Sequence, residues 1–192
     1  MKVIGLTGGI GSGKSTLLKW FQAQGVPCFE SDVAGRVLLD STLREEVSKR
    51  FGSSLYGSDG RLDRAALAAL VFNDATALDD LNKLVHPAVA TSFETFKKQH
   101  DKAPFVINEA AILFETGGYK KCDLTILVKA PMKERMQRII SRDGVTEEEV
   151  LARMKQQWSD EKKEQYADFV IRNTDLEKTY EQAAKVLKKL WE

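Results

Sequence analysis

Residues 8–15 read Gly-Gly-Ile-Gly-Ser-Gly-Lys-Ser, with four glycines in six positions followed at once by a lysine and a hydroxyl. Glycine tolerates positive φ and lets successive backbone N–H groups close around an anion. A helix opening at Lys14 aims the positive end of its dipole at the same point. The run satisfies G-x-x-x-x-G-K-[ST], so the expected ligand is a nucleoside triphosphate. Gly9, Gly11, Ser12 and Gly13 would form the cradle. Lys14 would reach the β- and γ-phosphates, Ser15 a Mg²⁺ ion and Thr16 the α-phosphate. The bland alternative is a tight strand-to-helix turn with a surface lysine. A chance match in a chain of this length is roughly a 1% event at average glycine usage.

A second group of polar residues follows the second strand-like run: Glu30-Ser31-Asp32-Val33-Ala34-Gly35-Arg36. A carboxylate at the carboxyl end of a strand, beside a phosphate loop, could take the proton of an attacking hydroxyl or orient it. An N-cap aspartate is the competing reading of Asp32. Arg36, one helical turn on, could bind a substrate phosphate or simply be solvated. Asp32 to Gly35 also fits D-x-x-G, a GTPase signature, but it lies too close to the phosphate loop. No N-K-x-D follows either, since Asn82-Lys83-Leu84-Val85 lacks the aspartate.

The elements that must position these groups alternate. Strands are expected over 2–7, 26–30, 105–108, 124–128 and 169–171. Helices are expected over 14–24, with Leu17, Leu18 and Phe21 inward, and over 32–40, 63–72, 78–99 and 131–142. The 78–99 helix should break near Pro87. Thr42-x-x-Glu45, Thr146-x-x-Glu149 and Thr174-x-x-Glu177 read as helix starts, and Pro131 suits a first helical turn. Strands alternating with helices imply an α/β fold with a parallel sheet, whose ligands gather at the carboxyl ends of its strands. The stretch from Asp40 to Gln99 is all helical and reads as an insertion.

The chain has 192 residues, a formal net charge of +1, 43% hydrophobic and 30% charged residues. Such a balance gives no global pull toward nucleic acid or an anionic membrane, so anion sites must be local. Cys28 and Cys122 form no CxxC pair, and the two histidines have no metal-ligand spacing. No apolar run approaches a membrane span or a leader peptide. The expectation is a cytoplasmic protein, monomeric or weakly self-associating.

The motifs together resemble the dephospho-coenzyme A kinase family. The family's opening L-T-G-G-I-G-S-G-K-S-T is matched throughout by residues 6–16. Its D-A-D appears as Glu30-Ser31-Asp32, with glutamate in the first place, and its following arginine as Arg36. Its D-G-x-L-x-R-x-x-L appears at residues 59–67 and its L-x-H-P as Leu84-Val85-His86-Pro87. Its P-L-L-F-E appears as Ala111-Ile112-Leu113-Phe114-Glu115. The resemblance implies a P-loop kinase domain with a five-stranded parallel sheet flanked by helices. It divides into a core of about 1–40, 104–130 and 167–192, a helical acceptor-binding insertion of about 41–103, and a helical lid of about 131–166. The activity implied is transfer of the γ-phosphoryl of ATP, with Mg²⁺, to the ribose 3′-hydroxyl of dephospho-coenzyme A. Asp32 would be the base, with Lys14 and Arg138 completing the catalytic set. Arg142 and Asn173 would join the ATP site, Asn173 on the adenine side. Thr7, Arg36, His86, Pro87, Leu113, Phe114 and Glu115 would meet the acceptor, and Glu109, standing where the family often has aspartate, would help to hold Mg²⁺ through water. Without the family, Arg138 and Arg142 read rather as a solvated helix face and His86 as a satisfied histidine at a proline kink, while Phe114 reads equally as core. Arg153, Gln156 and Gln157 share one side of the lid, facing nucleotide or solvent.

Overall fold

The computed structural model describes residues 1–72 and 74–192. Its contacts divide the chain into two compact units, Met1–Phe29 with His100–Glu192, and Glu30–Gln99.

The first unit is built on a parallel sheet. Its strands are β1 (Lys2–Gly8), β2 (Cys28–Glu30), β3 (Phe105–Glu109), β4 (Leu124–Lys129) and β5 (Phe169–Arg172), in the order β2-β3-β1-β4-β5. β1 is central and buried from Val3 to Gly8, as expected of a strand covered on both faces. Leu6 pairs with Glu109, Gly8 with Val128, and Lys129 with Arg172. That register brings the carboxyl ends of β1, β3, β4 and β5 to one edge. Helix α1 (Lys14–Ala23) buries Leu17, Leu18 and Phe21, as its spacing predicts, against Ile4, Leu6, Ile126 and Val128. The C-terminal helix α9 (Leu176–Trp191) adds Ala183, Val186 and Leu190 to the same core.

The second unit contains α2 (Ser31–Asp40), α3 (Arg44–Phe51), α4 (Arg64–Phe72) and α5 (Ala75–Gln99). Helix α2, assigned above to the core, packs against α5 within this unit. Leu55, Leu62, Leu67, Val71 and Ala77 form its own apolar centre. The Asp59-Gly60 pair makes a tight reversal: Tyr56 bridges Leu62, and the Gly57 amide donates to Arg61 O at 2.9 Å.

The stretch expected to form a lid contains α6 (Met132–Asp143), α7 (Glu147–Lys155) and α8 (Asp160–Glu164). Thr146 and Glu149 form the expected reciprocal capping box on α7.

Several expectations are corrected. Pro87 does not break its helix: α5 runs through it for 25 residues. Losing one helical hydrogen bond costs a helix interior about 3 kcal/mol, but Pro87 is exposed and α5 packs along α2, α3 and α4. Thr42 does not cap α3. Leu43 holds the cap position and is buried, and the Leu43 and Arg44 amides are met by backbone of the preceding turn. Asp175, not Thr174, caps α9, its carboxylate accepting from Lys178 N at 2.9 Å. Pro131 stands at the cap of α6 rather than in its first turn. The second strand is shorter than expected and starts at Cys28.

Candidate active site

The phosphate loop runs from the end of β1 to the first turn of α1. An anion nest needs its N–H groups pointing inward and its carbonyls turned away. Here three consecutive carbonyls are held from outside, each by a different side chain. Arg135 Nε donates to Ile10 O at 2.9 Å, Arg138 Nη1 to Gly11 O at 3.4 Å, and Asn173 Nδ2 to Ser12 O at 2.8 Å. Inside the loop, Ser12 N donates to Gly9 O at 3.0 Å. Gly13 caps α1 at φ 91°, where an L side chain is strained, and a Cβ there would collide with the Asn173 carboxamide. A Cβ at Gly9 would run into the Arg135 guanidinium. The glycines therefore serve the close approach of these side chains as well as the turn.

Lys14 is ion-paired with Glu109 at the end of β3, both side chains largely buried. Ser15 and Thr16 are exposed in the first turn of α1, which carries no acidic residue, and the Ser12 hydroxyl is buried without a hydrogen-bond partner. The exposed Ser15 and Thr16 hydroxyls thus stand at the positive end of the α1 dipole, where an anion is favoured.

Beyond β3 the chain turns back on itself. Ala110 N donates to Leu6 O at 3.1 Å, and the buried Thr7 hydroxyl to Ala111 O at 3.4 Å. Leu113 and Phe114 are 3% and 1% exposed. Phe114 lies edge-on to Tyr119, with ring centroids 5.5 Å apart. Packing is therefore the arrangement the geometry shows for both, and neither presents surface to a ligand. The Glu115 carboxylate faces the lid: Oε1 accepts from Trp158 N at 2.8 Å and lies 3.0 Å from Nζ of the fully buried Lys163.

Arg138 and Arg142 are set apart by the fold. Arg138 reaches the loop and is steadied by Glu134 at 2.8 Å and Asn173 O at 3.3 Å. Arg142 is exposed and bonds Asp143, which Arg153 also holds at 3.0 Å. These arginines keep the Asp143 carboxyl below the usual carboxylate range, the Arg142 hydrogen bond contributing most. The sequence reading missed Arg135. It is 7% exposed and ion-paired with Asp160 at 3.2 Å. The signal for it was its spacing of three from Arg138 on α6, which puts both on one side of the helix. Gln157 also reaches the loop: its Oε1 accepts from Ile10 N at 2.9 Å. Arg135, Asp160 and Gln157 further help to wall a cavity of 560 Å³ shared with Met154, Trp158 and Thr174.

Within the helical unit, Asp32 falls in the first turn of α2. The cap position is Glu30, so the N-cap reading of Asp32 does not hold. Arg36 is exposed one turn on. Arg64 meets the C-terminal half of α2, bonding Arg36 O at 3.4 Å and Asp40 Oδ2 at 2.5 Å. The Leu62 amide, then Arg64, lower the Asp40 pKa. His86 and Pro87 are exposed on α5. Among the described residues there is no cluster of three or more metal-ligating side chains, and no helix is long and apolar enough to cross a membrane.

Comparison with known proteins accounts for nearly the whole chain. Residues 2–178 match the family described as CoaE, dephospho-CoA kinase. The dephospho-CoA kinase of Aquifex aeolicus is 39% identical over 197 residues, covering 99% of this chain and 98% of its own. The crystal structure of TT1252 from Thermus thermophilus superposes with a TM-score of 0.91 at 37% identity, covering 98% of this chain and 96% of that one. A shikimate kinase from Bacteroides thetaiotaomicron, 15% identical with a TM-score of 0.51 over 100% of this chain and 99% of its own, shares the fold. With the matching profile, the relative and the superposed structure in agreement, this chain belongs to the dephospho-CoA kinase family.

Proposed function

We propose that this protein transfers the γ-phosphoryl group of ATP to the 3′-hydroxyl of the ribose in dephospho-coenzyme A, giving coenzyme A and ADP. The observation that carries the reading is the phosphate loop, whose Ile10, Gly11 and Ser12 carbonyls are drawn outward by Arg135, Arg138 and Asn173. The loop amides of Gly11 and of Gly13 to Thr16 then meet the triphosphate, while those of Ile10 and Ser12 stay with Gln157 and Gly9, and the dipole of α1 adds to their field. Lys14 exchanges Glu109 for the β- and γ-phosphates and neutralises charge developing in transfer. Arg138 does the same from the lid side, and Arg142 joins when nucleotide draws the lid inward.

The donors near the loop suit Mg²⁺, a hard cation that prefers oxygen and keeps several waters. The Ser15 hydroxyl and the ATP phosphates would hold it, with Glu109 acting through water. Held there, a divalent cation would supply positive charge to offset that of the phosphates.

Asp32 is the base in this reading. It orients the 3′-hydroxyl and takes its proton as the phosphoryl group departs from ADP. Arg36 and His86-Pro87 recognise the acceptor from the helical unit. Thr7 and Glu115 shape the acceptor side beyond β3, and Leu113 and Phe114 support it from within. General-base help is worth about 10²–10⁴ in rate. Asp32→Asn is therefore expected to lower turnover by at least a hundredfold while ATP binds with unchanged affinity. A loss below about tenfold would remove Asp32 from that role.

A further inference from the structure

The two backbone polar groups of Ile10 are bound by side chains from distant parts of the chain. Its carbonyl accepts from Arg135 and its amide donates to Gln157 Oε1. The other end of the same carboxamide, Gln157 Nε2, donates to Ala111 O at 3.3 Å. Ala111 O is also the acceptor for the Thr7 hydroxyl. We propose that Gln157 is a positioning residue for phosphoryl transfer, tying the apex of the phosphate loop to the segment beyond β3 and setting both in one geometry. The proposal rests on the ATP-dependent transfer proposed above.

The chemistry of the three partners fixes the residue type. A backbone amide only donates and a backbone carbonyl only accepts. Whatever stands between Ile10 N and Ala111 O must accept on one side and donate on the other. A carboxamide does both from one carbon. A glutamate would lack the donor and set a negative charge beside a phosphate site. A lysine would lack the acceptor.

Gln157 is also held in place by its neighbours. The next residue, Trp158, donates its amide to Glu115 at 2.8 Å. Glu115 in turn meets Lys163, fully buried in α8. Asp160 at the start of α8 holds Arg135, the residue on the Ile10 carbonyl. The lid return is thereby fastened to the phosphate loop at Ile10 and to the post-β3 segment at Ala111 and Glu115. Gln157 bonds both Ile10 and Ala111.

A misplacement of about 1 Å at a reacting geometry can cost on the order of a hundredfold in rate. Loss of the Gln157 link should therefore appear in turnover rather than in nucleotide affinity. The test uses the full chain with Gln157→Met, which keeps the length and removes both donor and acceptor. The measurements are kcat, KM for ATP, Tm, and hydrogen exchange of the Ile10 amide by NMR. The expected result is a kcat lowered about 10- to 100-fold, KM for ATP within about threefold, a Tm lowered by about 4–8 °C for the two lost hydrogen bonds and faster exchange at Ile10. Wild-type turnover with a Gln157→Met kcat within about threefold of it would overturn the positioning role while leaving the transfer reading intact. A raised KM for ATP at unchanged kcat would also overturn it, since that is a binding effect. A Tm lowered by more than about 10 °C, with kcat and KM for ATP impaired together, would assign Gln157 to the fold instead. Absence of transfer by the wild-type protein would overturn both readings.

Discussion

Replacing Asn173 by aspartate changes one atom and reverses the contact that holds Ser12. Asn173 is buried, and its Nδ2 donates to Ser12 O at 2.8 Å. In Asn173→Asp at neutral pH a carboxylate oxygen faces that carbonyl. The hydrogen bond is lost, at a net cost of about 1 kcal/mol, and leaving a buried carbonyl without a donor adds about 1–3 kcal/mol. Arg138, which donates to Asn173 O at 3.3 Å, lies close enough to offset part of the new charge. A destabilisation of about 3 kcal/mol follows. At about 2–4 °C per kcal/mol for a chain of this size, Tm should fall by about 6–12 °C. The sign of the pH dependence is also set. Burial and the facing carbonyl raise the folded-state pKa of the new carboxyl, so its protonated form is the one the fold tolerates. A protonated carboxyl donates to Ser12 O again. The deficit is therefore largest above the folded pKa and shrinks as pH falls through it. Thermal unfolding of both proteins at pH 8 and pH 5.5, with ATP affinity by calorimetry, measures all of this. ATP affinity should also fall, because the loop loses its anchor and gains a nearby anion. A Tm within 2 °C of wild type at both pH values would refute the claim that Asn173 holds the loop.

Two further predictions concern buried groups around the site. Lys163→Met leaves the Glu115 carboxylate buried without its cation, which should cost about 3–5 kcal/mol. The double variant Lys163→Met with Glu115→Gln should recover most of that loss, and chemical denaturation of the three proteins checks it. A single variant as stable as wild type would contradict the pair's role. Burial, with the neighbouring Asp123 adding to it, pushes the Cys122 thiol up to about 11. At pH 8 its thiolate fraction is then about 10⁻³. Cys122 should resist thiol reagents in the folded protein and react on denaturation, and rapid labelling of folded Cys122 by mass spectrometry would contradict this.

Much of the phosphate site was legible because local chemistry dictates it. Only glycine allows the backbone at Gly13, and the order glycine, lysine, serine follows from what a triphosphate and its cation require. The alternation of strands and helices gave the sheet, since apolar runs of two different periods cannot exchange roles. The arginines of α6 were a different matter. Arg135, Arg138 and Arg142 are chemically identical, and only the packing of α6 against the loop decides their roles. That packing buries Arg135, gives Arg138 to Gly11 and leaves Arg142 with Asp143. Pro87 misled for a similar reason: a local preference for a break yields when the rest of a long helix is packed along its length. Thr174 and Asp175 differ by one position, and propensity alone did not rank them. Gln157 stood out only as one of three polar residues on a lid face, because its partners Ile10 and Ala111 are far away in sequence.

The central claim is that one site joins ATP to the ribose hydroxyl of dephospho-coenzyme A. The most direct measurement is ADP release from Mg-ATP across a panel of dephospho-coenzyme A, adenosine, AMP and shikimate, with the phosphorylated product identified. ADP release with dephospho-coenzyme A alone, and coenzyme A as the product, is the predicted result. Release with another acceptor in preference, or with none of the four, would contradict it.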